Sequence, residues 1–78
     1  MTEMPKKSRE FIEAECLRVT RLQAGCHDVR RVRIGRIKPS GSEPNWEVLG
    51  FDPDLPDVAK GFAMSAIAML RGTYALAD

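Results

Sequence analysis

Between residues 58 and 76 the only charged side chains are Lys60 and Arg71. A helix with one long side in water carries polar and charged residues along that side. This stretch does not, so the sequence predicts a helix covered on more than one side. Val58, Phe62, Ala66, Met69 and Leu70 recur at helical spacing and define its main apolar face, which Ala59, Ala63 and Ile67 widen. Pro56 suits the first turn, and Gly72 ends the helix, giving an expected span of residues 56–71 with a final turn or tail over 73–78. In projection Gly61, Ser65, Ala68 and Gly72 fall within about 60° of one another, and they are expected on the side away from Val58 and Phe62, with Met64 beside them. Small residues at that spacing let a second backbone come close. Two coverings fit: the first helix of the same chain, or a second copy of the protein.

The chain has 78 residues, enough for one small domain that buries roughly 60% of its unfolded surface. Added buried area from a partner therefore matters to its stability. The expected organisation is a flexible N-terminus over residues 1–7 and a single α+β domain over residues 8–78. A first amphipathic helix is predicted over residues 8–24, with Ser8 as N-cap and Gly25 as a left-handed stop. Its stripe is Phe11, Ile12, Cys16, Val19 and Leu22, and Glu15 at its rim is within reach of Arg18 three residues on.

Residues 29–38 are rich in β-branched side chains and read as a strand. Pro39, Ser40, Gly41 and Pro44 mark the turn, and residues 45–51 return antiparallel. A loop centred on Gly41 sets Ile34 opposite Val48 and Arg36 opposite Trp46. Val32, Ile34, Trp46 and Val48 then share one face, with Arg31, Arg33, Glu47 and Leu49 on the other. The expected fold is α-β-β-α, a two-stranded antiparallel hairpin packed against two helices. A hairpin edge offers a further route to dimerisation.

Charge is uneven along the chain. Net charge is +1, yet residues 29–38 hold Arg30, Arg31, Arg33, Arg36 and Lys38 and no acid. Arg31, Arg33, Arg36 and Lys38 are candidate phosphate contacts, with Trp46 as a stacking platform, so nucleic-acid binding through residues 30–38 is the alternative functional reading. Opposed to it is pairing with Glu43, Glu47 and the aspartates of residues 52–57, which makes the strand a solvated, partly neutralised face. The order of elements resembles a shortened double-stranded-RNA-binding domain. That family, however, has three strands and a lysine-rich start to its last helix. Here that position reads Pro56-Asp57-Val58-Ala59-Lys60, and Asp54 and Asp57 repel phosphate. The segment Asn45-Trp46-Glu47-Val48 and the ending Leu70-Arg71-Gly72-Thr73-Tyr74-Ala75-Leu76 make residues 45–78 similar to short bacterial proteins of unknown function. That resemblance implies no activity.

Catalytic chemistry finds little footing. Cys26, His27 and Asp28 are adjacent, and adjacent side chains diverge instead of aiming at one atom. Cys16 with Cys26 matches no common zinc spacing. Asp52, Asp54 and Asp57 are interrupted by two prolines and serve turn formation and capping better than calcium. The expectation is a non-catalytic protein–protein interaction module, homodimeric or docking an unknown protein, with no cofactor, no metal and no membrane partner. The candidate interface is Gly61, Met64, Ser65, Ala68 and Gly72. Two cysteines and a polar start point to the cytoplasm.

Overall fold

A computed structural model describes residues 4–38 and 44–77. The chain runs β1 (Lys6–Lys7), α1 (Arg9–Arg21), β2 (Arg31–Arg36), β3 (Trp46–Asp52), α2 (Asp57–Arg71) and β4 (Ala75–Leu76). The expected α-β-β-α order and the antiparallel hairpin are present, and a short parallel pair, β1 with β4, is added to them.

Helix α1 starts where the sequence provides a cap: Ser8 is extended, and its hydroxyl accepts the Phe11 N–H at 3.2 Å. Ile12, Cys16 and Thr20 recur every fourth residue and are fully buried. Glu15 and Arg18 pair as expected, in a two-point contact at 3.2 Å. The helix closes at Leu22, and Gly25 takes its positive φ of 79° three residues later, in the turn that leads to the hairpin. Leu22 leaves the apolar stripe and stands 71% exposed.

In the hairpin Ile34 pairs with Val48 and Arg36 with Trp46, in the expected register. The ladder then slips by one residue. Arg33 faces Gly50 and Val32 faces Phe51, so Leu49 is an extra residue bulged out of β3. Without the bulge, alternation from Val48 would turn Phe51 to solvent; with it, Phe51 is buried beside Val32. The Leu49 side chain lies across Gly35, with Cδ1 2.9 Å from the place a Cβ on residue 35 would take, so the bulge needs a glycine opposite.

Trp46 anchors the core. It is fully buried, and its indole N–H donates to the Tyr74 carbonyl at 3.0 Å. Arg71 at the end of α2 donates through Nε to the Trp46 carbonyl at 3.0 Å. Helix α1 lies against both β2 and α2. On α2 the inward residues are Ala59, Ala63, Ile67 and Leu70, and the small alanines let α1 and its following turn come close. The Cys26 thiol lies 3.6 Å from the Ala59 carbonyl. Expectation and structure part here: Val58, Phe62 and Met69, assigned from sequence to the main apolar face, point to solvent.

The chain ends add one more layer. Pro5 and Lys7 accept hydrogen bonds from Ala75 and Ala77 at 2.9 and 2.8 Å, and Lys6 and Lys7 form a strand within the expected N-terminal lead. The Asn45 side chain grips the other edge of β4, accepting from the Leu76 N–H at 2.9 Å and donating to the Leu76 carbonyl at 3.0 Å. Phe11 and Tyr74 meet edge to face at 5.3 Å between ring centres, and the Lys7 ammonium sits 4.9 Å above the Phe11 ring.

Candidate interaction surface

Projection of α2 explains its two sides. Turned at about 100° per residue, Ala59, Ala63, Ile67 and Leu70 centre opposite Ser65. Within about 60° either side of Ser65 lie Val58, Phe62, Met69, Gly61, Ala68 and Gly72, all exposed. The small residues and Val58 and Phe62 therefore share one flank instead of taking opposite sides. The large members are bare: Val58 is 73% exposed, Met69 77% and Phe62 49%. Met64 lies at the border, beside a cleft of about 150 Å³ lined also by Val48, Leu49, Gly50, Phe51 and Lys60. Every residue of the expected interface is thus exposed, and three large apolar neighbours that sequence reasoning assigned to the core join them.

Of the three charged groups of α2, exposed Asp57 borders this flank, about 80° from Ser65, and the other two stand clear of it. Lys60 turns to Asp54 at 3.4 Å, and Arg71 is held at the Trp46 carbonyl. Asp54 also accepts the Leu55 N–H at 3.0 Å, which fixes the turn into the helix. The flank carries one polar side chain, Ser65, over a helix of 15 residues, about 22 Å long. That length is short of a bilayer, and among the described residues no helix is long and apolar enough to cross a membrane. This exposed apolar flank is the candidate interaction surface.

The hairpin edge is a poorer candidate. The Ile34 N–H on β2 is taken by the Glu13 carboxylate at 3.0 Å, and the Leu49 bulge breaks the run of β3. Both features blunt a strand against pairing with another chain.

The basic strand is only partly assembled. Arg31 and Arg33 project from the outer face of the hairpin, with Arg31 4.0 Å from Glu13 and the Arg33 guanidinium lying over Gly50. Arg36 turns instead toward β4 and donates to the Ala77 carbonyl at 3.1 Å. Lys38 is exposed at the hairpin end. Trp46 cannot serve as a stacking platform, because its ring is buried on the opposite face with no exposed area. The expected phosphate contacts are therefore spread over separate directions. Glu43 and the turn around Gly41 lie outside the described residues.

The Cys26-His27-Asp28 run diverges: Cys26 is buried while His27 and Asp28 are exposed. His27 and Asp28 instead border an open cleft of about 440 Å³ with Arg21 and Arg30. Among the described residues no three His, Cys, Asp or Glu side chains gather around one point. Cys16, also buried, has its thiol pushed up to about 12 by burial and by the charges of Glu13 and Glu15, so it stays protonated and unreactive at neutral pH.

No family model, curated protein or solved structure matches this chain.

Proposed function

We propose that this protein is a small non-catalytic interaction module of the cytoplasm that works as a homodimer, with the exposed flank of α2 as the contact between copies. The observation that carries the reading is the run of Val58, Phe62 and Met69 in water on a flank whose nearest charge, Asp57, lies at its border. Two unpaired, buried thiols are in keeping with a reducing compartment.

A half-cylinder about 22 Å long and about 5 Å in radius offers on the order of 350 Å² per protomer, under half the roughly 800 Å² per partner of a standard interface, so a contact through it alone is weak and transient. A helix pair uses that surface fully. Covering Val58, Phe62 and Met69 on both copies gains roughly 10 kcal/mol, set against about 4–15 kcal/mol of lost freedom on association. At the lowest of those costs the balance gives a weak, exchanging dimer with a dissociation constant on the order of 10–100 µM.

Sedimentation equilibrium between about 10 and about 500 µM tests this range. The wild-type mass is expected to rise toward the dimer, and Ser65→Glu is expected to remain monomeric because two carboxylates would meet at the centre of a dry contact. A wild-type chain that stays monomeric at the highest concentration overturns the proposal.

A further inference from the structure

A group of charged side chains gathers away from α2, around the cleft of about 440 Å³ at the end of α1. Arg21 comes to it from the last turn of α1, His27 and Asp28 from the turn that follows, and Arg30 from the residue before β2, with Val29 and Pro53 completing the lining. Backbone hydrogen bonds fix this turn: the Cys26 N–H donates to the Gln23 carbonyl at 3.2 Å, Val29 to Cys26 at 3.3 Å and Arg30 to Asp52 at 2.8 Å. Cys26 and Val29 also anchor it in the core. Arg21, His27, Asp28 and Arg30 are exposed, and among the described residues none of their side chains makes a hydrogen bond or an ion pair. Elsewhere on the surface neighbouring opposite charges do pair, Arg18 with Glu15, Arg31 with Glu13 and Lys60 with Asp54. Here two guanidinium groups and a carboxylate border one hollow without meeting.

We infer that this cleft binds a small phosphate monoester that also carries hydroxyl groups, a sugar phosphate in chemical class, with Arg21 and Arg30 on the phosphate and Asp28 on a hydroxyl. A guanidinium presents a planar fork of donors that matches phosphate oxygens. A monoester carries a charge of about −1.5 to −2 at neutral pH, which two arginines balance. Asp28 sets the rest of the ligand. An ionised carboxylate only accepts hydrogen bonds, so it repels a bare anion and favours one with a hydroxyl beside it. The cleft lies within the range of roughly 300–1,000 Å³ common to small-molecule sites. At about 30 Å³ per water it holds roughly fifteen waters, far more than a lone phosphate displaces. Arg31 is turned to Glu13 and Arg33 lies over Gly50, so the positive charge is a point and not the start of a track, which favours a compact ligand over a nucleic-acid strand. The lining takes nothing from α2, so one copy holds the whole site and it stands apart from the self-association reading.

Amide NMR titration of the full chain with glucose 6-phosphate tests the assignment. Shifts centred on His27, Asp28 and Arg30 are expected to saturate, with half-saturation on the order of 1 mM. Inorganic phosphate is expected to move the same amides with about tenfold weaker affinity, because it lacks the hydroxyl contact, and glucose is expected to move none. No saturable shift up to about 20 mM glucose 6-phosphate overturns the proposal. Sodium sulfate at matched ionic strength binding as tightly as glucose 6-phosphate also overturns it, as does a single-stranded oligonucleotide binding these amides more tightly. The amides of α2 report self-association separately, so failure of one reading does not carry the other with it.

Variants of these exposed side chains leave the core untouched. Arg21→Gln and Arg30→Gln each remove one fork and are each expected to weaken glucose 6-phosphate by at least about tenfold. Asp28→Asn is expected to narrow the gap between glucose 6-phosphate and inorganic phosphate to under about threefold, since the repulsion of the bare anion goes with the charge. Arg9→Gln removes the same charge at the other end of α1, about 18 Å away, and is expected to change neither affinity by more than about twofold. A loss from Arg9→Gln as large as that from Arg30→Gln would make the effect one of net charge and overturn the site. An unchanged gap in Asp28→Asn would overturn the hydroxyl contact, and with it the ligand class.

Discussion

Helices α1 and α2 bury themselves in the same way and meet water in opposite ways. Each sends a row of residues inward at three- and four-residue spacing, Ile12, Cys16 and Thr20 on one and Ala59, Ala63, Ile67 and Leu70 on the other. On its wet side α1 shows Arg9, Glu10, Arg18 and Arg21, whereas α2 shows Val58, Phe62 and Met69. The core accounts for the inward rows of both. It accounts for nothing on the outer flank of α2, where selection for solubility alone would have placed charge. The difference separates residues that hold the fold from residues that the fold leaves in water.

The two sides of α2 give the largest test of that separation. Ile67→Ala empties a fully buried site and is expected to destabilise the chain by about 3 kcal/mol, a large share of the stability of so small a domain. Met69→Ala is expected to change it by less than about 0.5 kcal/mol. Urea denaturation of both variants at low micromolar concentration, below the proposed dissociation constant, measures the contrast. Equal losses would place Met69 in the core and erase it.

A second test uses the chemistry of α1. The Cys16 thiol is raised from 9.0 to about 12 in the folded chain, so above pH 9 the unfolded chain releases a proton that the folded chain retains. Stability from this group is complete below pH 9 and falls as pH rises toward 12, by up to about 1.4 kcal/mol per pH unit. Denaturation midpoints followed from pH 8 to about pH 10.5 should decline more steeply for wild type than for Cys16→Ala. Parallel declines would mean that Cys16 ionises in the native fold.

The smallest effect sharpens the comparison most. Gly61→Ala on the open flank of α2 is expected to stabilise the monomer by about 1 kcal/mol, because the added methyl meets nothing and the helix gains propensity. A loss of stability in dilute solution would show that the glycine serves its own chain.

Sequence reasoning recovered the hairpin well, because a symmetric loop and alternating β-branched residues fix Ile34 on Val48 without reference to the rest of the chain. It missed the Leu49 bulge, which exists to bring Phe51 inward at the far end, a tertiary demand invisible to local pattern. It missed β1 and β4 because two-residue strands carry no periodicity. The inward face of α2 was misjudged for a related reason. Size made Val58, Phe62 and Met69 look like core, while the space left by α1 suits Ala59 and Ala63. The common flank of Gly61, Ser65, Ala68 and Gly72 followed from their spacing, but the sequence left α1 as one covering for it, and α1 packs on the Ala59 and Ala63 side instead. Trp46 was open to two readings in sequence, and only its seat beneath Tyr74 decides between anchor and platform.

The pairing of β1 with β4 has a mechanical side. These strands run in the same direction, so tension drawn between Pro5 and Ala77 loads the Ala75 and Ala77 hydrogen bonds together, in shear, instead of peeling them one after the other. Asn45 grips Leu76 from behind, which makes the clasp three strips wide at that point. A tug on either terminus is therefore borne first by this clasp, and the flank of α2 is spared until it parts.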